Sequence, residues 1–75
     1  MDVYIIATKA CQHCQNMSRE LDDLKVNHRV VFAEDSPYLC QSLSIRHSPN
    51  LIVDNQVVFR RQPSEHELKD YFGIA

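Results

Sequence analysis

The chain has 75 residues, 44% of them apolar and 24% charged, and 8 basic against 10 acidic side chains leave a formal net charge of −2. That length supports a single domain spanning residues 1–75, and that composition is the composition of a folded chain, not a disordered one. The slight acidic excess and the lack of a basic amphipathic stretch argue against a nucleic-acid binder and against a membrane-surface binder.

Residues 3–7 (Val-Tyr-Ile-Ile-Ala) form the longest apolar run. It is far short of the roughly 18 residues of a membrane span, and no basic region precedes it as in a signal peptide. Its β-branched and aromatic content predicts a strand buried on both faces. Cys14, Met17, Leu21 and Leu24 then recur at spacings of three, four and three, which predicts a helix over about residues 11–25. Residues 29–33 read as a second strand, and the helical crossover between the two strands makes them parallel. Ser36-Pro37 is a helix-start signal, a capping side chain followed by proline. The short helix it opens should bury Leu39 or Cys40 together with Leu43. Residues 51–53 read as a third strand. Asp54-Asn55 is a turn dipeptide that returns Val57, Val58 and Phe59 as an antiparallel partner. Ser64-Glu65-His66-Glu67 is a capping box, Leu68, Tyr71 and Phe72 form an apolar stripe, and Gly73 stands where the helix should stop. The fold class is therefore α/β in the order β-α-β-α-β-β-α, with a four-stranded mixed sheet flanked by three helices.

Chemistry concentrates at Cys11-Gln12-His13-Cys14. At a helix start the free N–H groups and the helix dipole favour a thiolate at Cys11. Helical geometry brings the Cys14 sulfur near enough to close a disulfide, and the apolar stripe keeps Cys14 protonated until it is needed. His13 can place partial positive charge near the Cys11 sulfur. The same spacing is also half of a zinc site, which Cys40 with His28 or His47 would complete. A strand leading in and a long helix leading out favour the redox setting. Three cysteines are too few, and odd in number, for a secreted disulfide scaffold. This predicts a cytoplasmic chain.

The strand, Cys11-Gln12-His13-Cys14, the helix, Ser48-Pro49 before a strand, the hairpin and the final helix resemble the thioredoxin-like fold in its short glutaredoxin form. The resemblance implies a thiol–disulfide oxidoreductase with Cys11 as nucleophile and Cys14 as resolving cysteine. It also implies that the Ser48–Pro49 bond is cis and faces the dithiol, with Ser48 offering backbone hydrogen bonds to a bound substrate. No metal or organic cofactor is implied. The implied partners are a disulfide-containing protein substrate and an electron donor, glutathione or a thioredoxin reductase, acting on a monomer.

The chain also departs from that family. It has no Trp, and Gln12-His13 replaces the usual pair between the cysteines. Lys9 stands two positions before Cys11, not three. The Gly-Gly-x-Asp element that holds glutathione in glutaredoxins is replaced by Arg60-Arg61-Gln62-Pro63-Ser64. This substitution favours a protein reductase over glutathione, as in the glutaredoxin-like redoxins that serve ribonucleotide reductase. Lys9, Arg46, Arg60 and Arg61 are candidates for a positive rim that favours thiolates and anionic substrates. Lys9 and His13 are thus candidate tuning residues, and Ser48, Pro49, Arg60 and Arg61 candidate substrate contacts. Cys40 reads as a half-buried apolar residue, and His28, His47 and His66 read as surface histidines. The alternatives to the redox reading are a zinc-binding module built on Cys11, Cys14 and Cys40, and a thioredoxin-fold interaction domain without turnover.

Overall fold

The computed structural model describes residues 2–74. The elements are β1 (Val3–Ala7), α1 (Gln12–Asp23), β2 (Arg29–Phe32), α2 (Pro37–Ser42), β3 (Asn50–Val53), β4 (Gln56–Phe59) and α3 (Glu65–Phe72), with a 3-10 turn at Ala33–Asp35 before α2. The strands form one mixed sheet in the order β2-β1-β3-β4. β1 runs parallel to β2, placing Ile5 opposite Val30, and antiparallel to β3, placing Ile5 opposite Leu51.

All five residues of β1 are buried because it is a central strand with packed elements on both faces. Successive side chains of a strand point to opposite faces, and the core divides accordingly. Val3, Ile5 and Ala7 pack with Cys14, Met17 and Leu21 of α1 and Leu68 of α3. Tyr4 and Ile6 pack on the other face with Ile52 and the half-buried Leu39, Cys40 and Leu43 of α2. Cys14 and Cys40 therefore belong to opposite sides of the sheet.

Helix α1 is shorter than the predicted 11–25. Cys11 is its N-cap, and the chain leaves the helix at Lys25, whose φ is +60°. The Val26 N–H donates to the Leu21 carbonyl at 2.9 Å and the Lys25 N–H to the Asp22 carbonyl at 3.0 Å. This is a Schellman ending with lysine in the position glycine usually takes. Helix α2 ends the same way through Ser44, with φ of +55° and the Ile45 N–H donating to the Cys40 carbonyl. At its start Pro37 takes the first turn as expected, but the Ser36 side chain makes no capping bond. The preceding 3-10 turn holds Ser36 through its own N–H, which donates to the Ala33 carbonyl, and it also shortens the second strand by one residue.

Asp54 and Asn55 both have positive φ, 51° and 67°, the conformation of a two-residue hairpin turn. The β3–β4 register shifts between Leu51 and Ile52, which face Phe59 and Val57 respectively. The neighbours Val58 and Phe59 accordingly pack against the same face, the signature of a bulge. The capping box of Ser64 and Glu67 forms, and Gly73 at φ +68° ends α3. Leu68 is buried and Phe72 half-buried, whereas Tyr71 remains 45% exposed and meets Phe59 edge-on at 6.3 Å. No helix of the described residues is long and apolar enough to cross a membrane.

Candidate functional site

The first N–H groups of a helix lack partners within it. At α1 one of them is taken by sulfur, since the Cys14 N–H donates to Cys11 Sγ at 3.2 Å. The Cys11 N–H donates to the Thr8 carbonyl at 3.1 Å, which turns the chain sharply out of β1. Cys11 and Cys14 have their Cα atoms 5.3 Å apart and their sulfurs at disulfide distance. Cys11 is half-buried and Cys14 only 4% exposed, so the two sulfurs have unequal access to solvent.

The Ser48–Pro49 peptide bond is cis. The loop carrying it is held from below by Asn50, which is 1% exposed and whose side-chain amide donates to the His47 carbonyl. It is held from the side by Thr8, whose hydroxyl lies 3.5 Å from that of Ser48. His13, His47, Ser48, Pro49, Arg60 and Arg61 line one depression together with Gln62. A second groove runs along α1 beside β2. Its walls include Lys9, Cys11, Cys14 and Ser18, with Val30 and Phe32 opposite.

Five of the eight candidate residues thus share one depression, and the other three line the groove. Several of them are engaged differently from the sequence expectation. The Nδ1 of His13 lies 3.0 Å from the Gln62 side-chain oxygen and so bridges α1 to the segment before α3. The Lys9 ammonium is 3.7 Å from Asp35, both well exposed, and its backbone N–H donates to Glu34. That backbone donor lowers the Glu34 pKa. Arg61 grips Glu67 with both terminal nitrogens, which raises the Arg61 pKa. Arg61 and the Ser64 N–H together hold the Glu67 carboxyl at about 2. Arg60 donates to the Ser44 and Leu43 carbonyls at the end of α2.

The four cations expected to form one positive rim are therefore divided. Arg46 lines a separate hollow with Cys40, Lys9 faces the α1 groove, and carboxylates partner Lys9 and Arg61. The reason is local: Glu34-Asp35 folds back in the 3-10 turn, and the capping residue Glu67 stands within reach of Arg61.

His28 also departs from expectation. Its side chain is 6% exposed, not a surface group. Nε2 lies 2.7 Å from the Ser18 hydroxyl and Nδ1 lies 3.0 Å from the Val26 carbonyl. A loop position gives no periodicity from which to read burial, so the sequence carries no signal for this contact. His47 and His66 are exposed as expected. Among the described residues, no group of three or more His, Cys, Asp or Glu side chains is arranged to hold a metal ion. Cys40 lies across the sheet from Cys14, so the structure does not assemble the three-cysteine set.

No protein-family model matches the chain, and no curated protein matches it.

Proposed function

We propose that the chain is a thiol–disulfide oxidoreductase of thioredoxin-like fold, in the short glutaredoxin-like form. The observation that carries this reading is the Cys11–Cys14 pair, at disulfide distance, with Cys11 capping α1 and its sulfur accepting the Cys14 N–H in the first turn of the helix. The strand order and the cis Ser48–Pro49 bond are consistent with it.

The Cys11 thiolate attacks one sulfur of a protein disulfide, and the other sulfur departs as thiolate. A mixed disulfide now joins Cys11 to the substrate. Cys14 then attacks Cys11, the Cys11–substrate bond breaks, and the pair is left oxidised. An external dithiol or two thiols reduce it again. The depression of Ser48, Pro49, Arg60, Arg61 and His13 receives the substrate segment, with Ser48 supplying backbone hydrogen bonds. The electron donor is a protein reductase of the thioredoxin-reductase type in preference to glutathione, and the protein works as a cytoplasmic monomer.

The test is the intact mass of the protein before and after a disulfide substrate, followed by a coupled assay with both donors in parallel. Loss of two hydrogens per chain and turnover with a reductase are expected. A pair that stays reduced in the presence of excess substrate overturns the proposal, and stoichiometric zinc in the purified protein favours a metal module instead.

A further inference from the structure

The buried imidazole of His28 has no part in the scheme above. Its surroundings fix its protonation pattern. The Val26 carbonyl 3.0 Å from Nδ1 can only accept, so Nδ1 carries a proton, and in the neutral ring Nε2 holds the lone pair. The Ser18 hydroxyl, 2.7 Å away, donates to that lone pair. Ser18 stands four residues after Cys14 on α1, and residues at that spacing are neighbours on one helix face, with Cβ atoms about 5–6 Å apart. Both side chains line the groove between α1 and β2, whose wall also includes Cys11.

We propose that Ser18 and His28 form a proton relay that deprotonates Cys14 in the resolving step, an assignment that rests on the dithiol mechanism proposed above. The need for a base follows from burial. Cys14 is 4% exposed, burial in apolar surroundings disfavours a thiolate, and only the thiolate attacks a disulfide. Bulk hydroxide reaches such a thiol poorly, whereas Ser18 shares its groove.

In the step, the Cys14 proton passes to the Ser18 oxygen, across the groove or through one water, while Ser18 gives its own proton to His28 Nε2. The electron pair left on the Cys14 sulfur forms the bond to Cys11 Sγ. The Cys11–substrate bond breaks, and its electron pair leaves with the substrate sulfur, which takes a proton from solvent. His28 then returns its proton to solvent through Ser18, which lines the groove. The imidazolium formed in between keeps its Nδ1–H bond to Val26, and the Asp22 carboxylate lies 3.8 Å from Nδ1. The other charged groups of the groove are Arg19 and Lys9, the latter beside Asp35. Ser18 acts on the reacting thiol, and His28 acts through Ser18.

The test follows an aromatic disulfide with a coloured thiolate product in a Cys40→Ser background, where Cys11 and Cys14 are the remaining thiols. The reduced protein releases the first equivalent when Cys11 attacks, at a rate proportional to reagent. It releases the second when Cys14 resolves, at a rate independent of reagent. Positioned bases contribute about 10²–10⁴-fold, and a relayed one is expected to contribute at least about tenfold. Ser18→Ala and His28→Gln should slow the second phase by that factor and leave the first unchanged. Ser18→Thr, which keeps the hydroxyl, should restore it. The second phase of the parent should rise with pH through an inflection, and His28→Gln should abolish that inflection. Second phases unchanged in both variants, an inflection that survives His28→Gln, or a Ser18→Ala defect that threonine does not rescue overturns the relay. A parent protein that releases one equivalent only, with no second phase, overturns the dithiol mechanism itself and the relay with it.

Discussion

Replacing Cys14 and Cys40 by serine leaves Cys11 as the single thiol, and the same variant unfolded in urea supplies its own reference. The backbone N–H of position 14 lies 3.2 Å from the Cys11 sulfur and persists in the variant, because it belongs to the main chain. A hydrogen bond to a charged group contributes about 1.5 kcal/mol at its weaker end. The N-terminus of a helix such as α1 adds about 0.3–1 kcal/mol. Sulfur is a weak acceptor and Cys11 is half-buried, so the two effects together are set at about 1.4 kcal/mol, or about tenfold more thiolate at neutral pH. A more acidic thiol is also a poorer nucleophile, with a Brønsted slope of about 0.4–0.5, which removes about threefold. Alkylation at pH 7 should therefore run about threefold faster in the folded variant than in urea. The midpoint of its pH profile should lie about one unit lower. Stopped-flow alkylation with iodoacetamide measures both. A folded midpoint equal to or above the unfolded one refutes the claim that the helix start activates Cys11.

Cys14→Ser with Cys40 intact should accumulate a mixed disulfide at Cys11, visible by intact mass, while Cys11→Ser should be inert in disulfide reduction and Cys40→Ser unaffected. Ser64→Ala removes the side chain that accepts the Glu67 N–H at 3.2 Å. It should cost about 1 kcal/mol, read as a fall in Tm of about 4–8 °C. Glu67 makes the acid limb of stability predictable in sign. Its folded value of about 2 lies below the usual 4.5, so its contribution is complete above about pH 4.5 and is lost as pH falls toward 2. Glu67→Gln should flatten the fall of Tm across that interval, and an unchanged slope would count against the Arg61–Glu67 pairing.

Elements with a repeating signal were legible in the sequence, and their ends were not. The spacing of Cys14, Met17 and Leu21 locates α1 because a helix must bury one stripe, and these are the three buried residues of that helix. The expected end at residue 25 lies two residues past Asp23 because Lys25, not glycine, takes the left-handed position. Ser44 hides the end of α2 in the same way, whereas Gly73 marks the end of α3 openly. Asp54-Asn55 was legible because few residue pairs tolerate two positive φ values. The 3-10 turn at Ala33–Asp35 has no periodicity, and the strand expected over residues 29–33 overlaps it by one residue. At the site, Cys11 and Cys14 were readable from spacing alone. The contacts of His13 with Gln62, of Arg61 with Glu67 and of His28 with Ser18 join residues from different elements, and local pattern cannot show them.

The pairing of Arg61 bears on the choice of electron donor. An anionic thiol such as glutathione entering the depression beside Pro49 meets Arg60 and Arg61, but neither guanidinium is unengaged. Arg60 is spent on two carbonyls at the end of α2, and Arg61 on a carboxylate it meets with two nitrogens. A glutathione carboxylate must displace Glu67 to bind Arg61, and the exchange of one carboxylate for another gains little. Glu67→Gln removes the competing charge while keeping a side chain that can still accept the Ser64 N–H. Arg61 is 62% exposed on its side chain, and an exposed ion pair shifts an equilibrium by no more than about fivefold. The variant should therefore lower the KM for glutathione by up to about fivefold, with kcat little changed because no reacting atom is touched. The KM for a protein reductase, which makes many contacts beyond this one, should shift less. An unaltered or raised KM for glutathione would show that Arg61 does not meet its carboxylate, and the proposed preference for a protein reductase would lose this support.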